Sequence, residues 1–558
     1  MKRLLIVLGL VCLCAAAQGQ ASPGGVPEWL SSSVFYQIYP SSYMDSNGDG
    51  IGDLKGIETR LDYIRDLGVT ALWLNPVFVS GWQDGGYDVI DFYRVDPRFG
   101  SNTDLVQLVD AVHARGMKIC LDLVAGHTSD RCEWFLQSKS GKDLRYSDYY
   151  IWSDDIPDDE KEQIRRRYEQ PDPSSSTIGR FVQADAPRAK YYEKNYYESQ
   201  PALNYGYAHP DPAHPWEQSV DAPGPRATRQ ELKNIMSFWF DKGIDGFRVD
   251  LASSLIKNDD KNKSATSRLW QEMRRWRDEN YPGRVLIAEW FNPLQSIPAG
   301  FDMDFYSLTQ RRGPDYLSYF SQKGDGNILG FVEEFKNNYL ATRDFGYIAV
   351  PTGNHDNPRI RNGERNSEEQ LKAAMTFFLT LPGIPLIYYG DEIGMKYQPG
   401  LPPKEGSRDR AGSRTPMQWE STPSAGFSTA DPKDLYFPVD TDGGRISVEA
   451  QVKDPASLLN HVKTLLSLRK EYPALGNDGI WEFIGNGNDP YPLIYCRFDS
   501  DSRFIIAVNP TSARKTVDLP QGEYATVNTV GKIRLKIRKS STRLVLEGCS
   551  SVILSTSH

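Results

Sequence analysis

Cysteine is scarce in this 558-residue sequence. There are six, and Cys12 and Cys14 lie near the N-terminus. The other four, Cys120, Cys132, Cys496 and Cys549, are too few for a disulfide-rich scaffold. Pairing of 120 with 132 and of 496 with 549 stays open for an exported chain. Positive charge is not in excess: the formal net charge is −9, which argues against nucleic acid as a partner. No stretch beyond the N-terminus is long and apolar enough to span a bilayer. There is no internal repeat and no low-complexity tract.

The N-terminus has the three regions of a secretory leader. Lys2 and Arg3 precede an apolar run from Leu4 to Leu13, and Ala15, Ala16, Ala17 and Gly19 follow. Cleavage is expected after Gly19 or Ala21, which makes residues 1–21 a signal peptide and the mature protein secreted or periplasmic. The chain is too long for one compact domain. Twelve Trp and thirty Tyr suit sugar binding as well as a large core.

The strongest local pattern runs from Gly243 to Leu251. Gly243 stops an apolar helical stretch, and Phe247 and Val249 read as a short buried strand that ends at Asp250. Arg248 shares side-chain parity with Asp250, because residues two apart on a strand face the same way. A guanidinium there orients the carboxylate and favours its charged form. The same rhythm extends in both directions. Strands are expected at residues 34–38, 69–74, 117–124, 247–249, 285–288, 301–305, 347–350 and 384–389. Helices fall between them near 54–67, 103–115, 228–241, 266–280, 329–340 and 368–380. Strands alternating with helices pair in parallel, and eight of them predict a (β/α)8 barrel, an α/β fold. The segment 126–207 is too long to be a structureless loop and is expected to be an inserted domain. The barrel then occupies 27–125 and 208–475, with a long loop after strand eight and a last helix at 455–470. Short alternating strands at 480–484, 493–498, 504–509, 516–519, 535–537 and 544–546 predict a C-terminal antiparallel β-sandwich over 476–558.

Three acids end three of these strands: Asp250, Glu289 and Asp356. Strand ends at the carboxyl face of a parallel barrel converge on one pocket. Two carboxylates flanking a pocket are the minimum for glycoside hydrolysis. His127 and His355 stand beside the same face. Early in the chain, Asp45, Asn47, Asp49 and Asp53 alternate as oxygen donors, with the Ile51 carbonyl between them and Gly50 at the turn. This is the first part of a calcium loop. Gly56 stands where an EF-hand closes with Glu, so a compact structural site is expected, with calcium or magnesium as its ion.

The sequence resembles the α-amylase superfamily of glycoside hydrolases, in its oligo-1,6-glucosidase and α-glucosidase branch. The resemblance rests on Asp84-Gly-Gly-Tyr-Asp88, Asp122-Leu-Val-Ala-Gly-His127, Gln200-Pro-Ala-Leu-Asn204, Gly246-Phe-Arg-Val-Asp250, Ile287-Ala-Glu289, Gly353-Asn-His-Asp356, Gly390-Asp-Glu-Ile-Gly394 and Arg414-Thr-Pro-Met-Gln-Trp419. It implies Asp250 as nucleophile, Glu289 as general acid/base and Asp356 as the carboxylate that holds the sugar. It further implies that His127, Arg248 and His355 bind the reacting glucose. Asp84 and Arg414 would meet across the blind end, with Tyr87 as a wall, and the loop 45–53 resembles the branch's cation site. Trp73 and Trp419 are expected in the core. The implied activity is retaining exo-α-glucosidase action on short oligosaccharides or disaccharides, without an organic cofactor, by a monomer or weak homo-oligomer. The alternative is a transglucosylase or isomerase acting on sucrose, maltose or trehalose. A non-catalytic, transporter-associated relative is a remote third possibility, because all three acids are present and no internal span is. Two positions depart from the pattern. Gly126 replaces an Asn that usually precedes the histidine. Leu251 is neither the Val of 1,6-specific members nor the Ala or Thr of 1,4-specific ones, which leaves the linkage open.

Overall fold

A computed structural model of the chain describes residues 25–556, apart from 143, 170–177, 307–318, 325, 441–445, 486 and 539. The expected leader, residues 1–21, lies outside the described residues. Eight parallel strands close into a barrel: β1 Phe35–Ile38, β2 Ala71–Leu74, β3 Lys118–Leu123, β4 Gly246–Val249, β5 Val285–Ala288, β6 Met303–Phe305, β7 Tyr347–Pro351 and β8 Ile384–Tyr388. Each expected strand is present, within a few residues of its expected bounds.

Side-chain parity explains the closure. Phe35, Ala71, Trp73, Val285, Ile287, Met303, Phe305, Ala349 and Leu386 fill the barrel interior. Their sequence neighbours, such as Tyr36, Leu72, Phe247, Val249, Leu286 and Ile348, face the surrounding helices. Strands buried on both sides must be apolar at both parities, as these are. Helix Pro223–Phe240 shows how the outer layer is fixed. Proline opens it, and Leu232, Ile235, Met236 and Trp239 make one buried stripe at helical spacing. The chain reverses at Gly243 with φ +96°, a conformation glycine adopts without strain, and enters β4.

Two details differ from the expectations, and the cysteine pairings left open resolve. The helix over 54–67 is two helices, Leu54–Thr59 and Leu61–Leu67. They break at Arg60, whose guanidinium lies over the Trp419 ring at 4.4 Å. A hairpin, Phe78–Ser80 with Val89–Val95, occupies the βα loop after β2. All four described cysteines are free thiols. Cys120 packs inside the barrel, whereas Cys132 precedes the helix Glu133–Ser140 outside it.

Between β3 and helix Pro223–Phe240 the chain forms helices Glu133–Ser140 and Asp158–Glu169 and a small antiparallel sheet of Trp152–Ser153, Tyr191–Glu193 and Phe181–Gln183. After the last helix, Leu458–Glu471, two antiparallel sheets follow, one of five strands and one of three. The five-stranded sheet docks on the barrel. The Thr380 and Tyr495 hydroxyls are 2.6 Å apart and those of Thr376 and Ser551 2.9 Å apart, tying it to helix Glu368–Thr380.

Candidate active site

The backbone ladder of the barrel continues one residue past β4 and β5. Asp250 N–H donates to Leu123 O at 2.9 Å and Glu289 N–H to Val249 O at 3.0 Å. Both acids therefore leave rigid strand ends at the carboxyl face. Arg248 lies in register opposite Asp122 of β3. Its guanidinium gathers three carboxylates. Nη1 donates to Asp122 Oδ1 at 2.7 Å and to Asp250 Oδ1 at 3.0 Å, and Nη2 forms an ion pair with Glu289 Oε1 at 2.5 Å. Glu289 Oε2 accepts from the Leu251 N–H at 3.0 Å. Leu251 sits at φ +45°, an uncommon conformation for a side chain of this size, of the kind that collects at functional sites.

Carboxylates crowded around one guanidinium repel one another, which disfavours the charged form. Burial and the adjacent Glu289 push the Asp250 carboxyl well above the usual range. Burial raises Asp122 to about 6, against the pull of Arg248 and the Tyr87 hydroxyl.

Asp356 behaves in the opposite way. Burial alone would raise it, but His355, Arg410 and Arg414 hold it well below the usual carboxylate range. Its Oδ1 accepts from Arg410 Nη1 at 2.9 Å and Arg414 Nη2 at 3.1 Å. Its side chain is 28% exposed, so one face stays open to the cavity.

Arg410 is the residue that sequence reasoning missed. The expected pair of Asp84 with Arg414 does not form. Asp84 Oδ1 accepts instead from Arg410 Nη2 at 2.7 Å, and Oδ2 from Gln200 Nε2 at 2.9 Å. Arg414 lies one layer deeper. Its Nε donates to the His355 carbonyl at 2.8 Å and it supports Asp356. The Arg414 donors Nε and Nη2 are taken by the His355 carbonyl and Asp356, and its Nη1 lies against Gly85, where a Cβ would stand 2.6 Å away. Arg410 thus joins Asp84, on the tip of the hairpin after β2, to Asp356, at the end of β7.

Burial disfavours the charged form of both histidines. Gln37 and Asn75 amides donate to His355 Nδ1 at 2.9 and 3.2 Å. Its Nε2 is left to face the Tyr87 hydroxyl at 2.8 Å and Asp356 at 3.2 Å. The Tyr87 ring stacks on His355 at 5.4 Å and its hydroxyl donates to Asp122 at 2.9 Å. Burial lowers His355 well below the ordinary imidazole value. His127 is lowered to about 4, also by burial. Its Nε2–H donates to the Tyr87 carbonyl and its Nδ1 accepts from Asn195 Nδ2, each at 2.9 Å. Asn195 reaches His127 across Gly126, where a Cβ would come within 2.8 Å of the amide. The segment after β3 so supplies a polar group over the position where an Asn was expected. Trp73 and Trp419 are both buried, as expected, with Trp73 stacked on Phe305.

The loop 45–53 lies apart from this pocket. Its donors Asp45, Asn47, Asp49, Asp53 and the Ile51 carbonyl have the hard-oxygen chemistry of a calcium or magnesium site. The folded loop, however, occupies them with its own hydrogen bonds. Asp45 accepts from the Asn47, Gly48 and Gly50 N–H groups and the Ser428 hydroxyl. Asp53 accepts from Ser46 and Gly56 as a helix cap. Among the described residues no three acidic, His or Cys side chains converge as a metal group. The donor chemistry therefore fits a hard cation, and the side-chain arrangement does not yet gather around one.

A closed parallel barrel with an Asp, a Glu and an arginine converging at its carboxyl face has the paired acids that cleavage or transfer of glycosidic bonds needs. The comparisons make this specific. The alpha amylase catalytic domain model matches residues 37–478, and the chain belongs to that family of glycoside hydrolases and transglycosylases. It is 33% identical over 510 residues to a trehalose synthase/amylase of Mycolicibacterium smegmatis, covering 84% of this chain and 80% of that protein. An oligo-1,6-glucosidase of Heyndrickxia coagulans is 28% identical over 556 residues, covering 89% and 95%. A mutant isomaltulose synthase of Erwinia rhapontici, solved with its natural substrate sucrose, superposes with a TM-score of 0.79 at 25% identity, covering 95% of this chain and all of that one.

Proposed function

We propose that this chain transfers single α-glucosyl units from short α-glucosides through a covalent glucosyl-enzyme, and that a sugar captures the unit at least as readily as water does. The observation that carries the exo-acting part is the Arg410 bridge between Asp84 and Asp356. It seals one end of the pocket with groups matched to the terminal hydroxyls of one glucose. Asp250 attacks the anomeric carbon as the glycosidic C–O bond breaks, while Glu289 gives its proton to the leaving oxygen. In the second step an acceptor hydroxyl returns a proton to Glu289 and displaces Asp250. One guanidinium holds both acids, which suits the short separation of a retaining pair better than the wider gap that accommodates a water. Asp356, Asp84, Arg410, His355 and Tyr87 hold the sugar, and Arg248, Arg414 and His127 fix the groups that do.

The acceptor preference rests on the relatives. The trehalose synthase/amylase and the isomaltulose synthase are named for making a disaccharide, which favours isomerisation. The oligo-1,6-glucosidase favours hydrolysis as the second reading. Chromatography of products from maltose, isomaltose, sucrose, trehalose and soluble starch, with Asp250→Asn as control, separates them. Isomerised or lengthened sugars, lost in the variant, are expected. Glucose as the sole product from one disaccharide would leave only the hydrolase. Starch cut to mixed oligomers would remove the closed end. We further propose that the loop 45–53 takes a divalent cation, supported by its donor chemistry, and that the chain is exported, supported by its leader pattern and tested by finding the mature N-terminus outside the cytoplasm.

A further inference from the structure

Asp304 is the middle residue of β6, in register beside Ala288 of β5, the residue before Glu289. Met303 and Phe305 on either side fill the barrel interior. Asp304 has the opposite parity, so its carboxylate turns away from that interior. It is nevertheless fully buried. There it gathers the three residues that follow Glu289. Oδ1 accepts from the Trp290 and Phe291 N–H groups, each at 3.2 Å, and Oδ2 from the Asn292 N–H at 3.0 Å. The Ser296 hydroxyl donates to Oδ2 at 2.7 Å and the Phe305 N–H to Oδ1 at 2.8 Å. Phe291 turns the chain at φ +56°, a conformation uncommon for an aromatic residue.

Among the described residues no cation forms an ion pair with Asp304. Burial raises its carboxyl to about 7, against the pull of the Ser296 hydroxyl and the N–H groups. A buried carboxyl without a counter-ion costs stability, and only a carboxylate offers two acceptor oxygens to so many donors. Before Glu289 the backbone is fixed by the barrel ladder, through its own N–H on the Val249 carbonyl. After it the backbone is fixed by Asp304. We propose that Asp304 is a positioning residue for Glu289, and that by holding the three N–H groups after it Asp304 fixes the peptide from which the proton donor projects. The proposal rests on the reading of Glu289 as the general acid.

Dependence on the leaving group tests this. kcat/KM is measured on α-glucosyl fluoride and on whichever of maltose, isomaltose, sucrose and trehalose the wild type consumes fastest. Fluoride departs with little help from a proton, whereas a sugar oxygen needs the acid. Glu289→Gln should therefore lose about a thousandfold on the disaccharide and little on the fluoride. Asp304→Asn should repeat that contrast, with a loss of about a hundredfold on the disaccharide, as for a catalytic group misplaced by about 1 Å, and of at most about threefold on the fluoride. A role in folding alone would lower both substrates equally. Ser296→Ala, a smaller change at the same carboxylate, should lose about threefold on the disaccharide only, and it carries the test where Asp304→Asn does not fold. Equal losses on both substrates, or no loss, in the variants at 304 and 296 while Glu289→Gln keeps the contrast would overturn the positioning role and leave Glu289 as the acid. Loss of the contrast in Glu289→Gln itself would overturn the acid assignment and the proposal with it.

Discussion

Arg410→Ala tests the closed end of the pocket directly. The side chain is 18% exposed and makes charge-assisted bonds of 2.7 Å to Asp84 and 2.9 Å to Asp356. Each such bond is worth about 1.5–3 kcal/mol. If both strengthen as the sugar distorts, their loss lowers kcat/KM on a disaccharide by roughly a hundredfold to ten-thousandfold. Burial already raises the Asp84 carboxyl and Arg410 is its main counterweight. Without it the Asp84 carboxyl rises further, opposed only by Arg414 and the Gln200 amide. Asp356 keeps Arg414 and His355, so the sugar-holding carboxylate stays ionised. The vacated space then admits one more glucosyl unit. The ratio of kcat/KM for a trisaccharide to that for its disaccharide should therefore rise by about tenfold. Arg410→Lys should fall between, because an ammonium cannot span both carboxylates as a planar fork does. Initial rates on maltose and maltotriose with each protein suffice. A loss equal at both chain lengths, or a kcat/KM on maltose within about threefold of wild type, would refute the assignment of Arg410 to the closed end.

The contact over Gly126 predicts non-additivity. Gly126→Ala displaces the Asn195 amide from His127, so Gly126→Ala, Asn195→Ala and the double variant should each lose about tenfold in kcat/KM, and additive losses would show that the two positions act separately. Glu392 is buried, accepts from the Tyr36 and Tyr63 hydroxyls at 2.8 and 2.7 Å, and is raised by burial to about 7. A carboxyl raised on folding favours the folded state while protonated, and that advantage is lost as pH climbs from its unfolded value to about 7. Glu392→Gln should abolish about 3 kcal/mol of the fall in unfolding free energy between pH 4.5 and 7, and an unchanged slope in denaturant titrations would exclude Glu392 as its source. For the loop 45–53, EDTA should lower Tm by several degrees and calcium restore it, in proportion to ion concentration over Kd. Asp45→Asn should not respond, and a wild-type Tm indifferent to both reagents would remove the cation.

The barrel was legible because its signal is local. Each strand is a short apolar run followed by a helical stripe, and parallel pairing follows from that alternation. The placement of Asp250 and Glu289 was legible because each follows such a run directly, whereas Asp356 stands five residues past β7. What escaped lies where no periodicity operates. Arg410 and Arg414 are four residues apart in the irregular loop after β8, in and just after a 3-10 turn, Arg408–Ser413. Nothing in their spacing tells which one reaches Asp84. The hairpin after β2 escaped because its tip is rich in Gly and Asp, although it carries Asp84 and Tyr87. Strands Tyr524–Val530 and Ser550–Thr556 escaped because Thr, Asn and Ser interrupt their alternation. Asn195 left no mark at all, since it is one polar residue in a polar segment and acts only through the space that Gly126 leaves.

The arginines also sort the proton inventory of the pocket. Asp84 and Asp356 are two carboxylates facing Arg410 and Arg414, and that half is balanced. Asp122, Asp250 and Glu289 are three carboxylates facing Arg248 alone, and that half is two cations short of balance. The proton needed for leaving-group departure therefore resides around Arg248, not at Asp356. In the sugar-free pocket, burial and Glu289 raise the Asp250 carboxyl and so disfavour its charged form. In the mechanism proposed above, the positive charge that develops at the anomeric carbon favours the ionised Asp250.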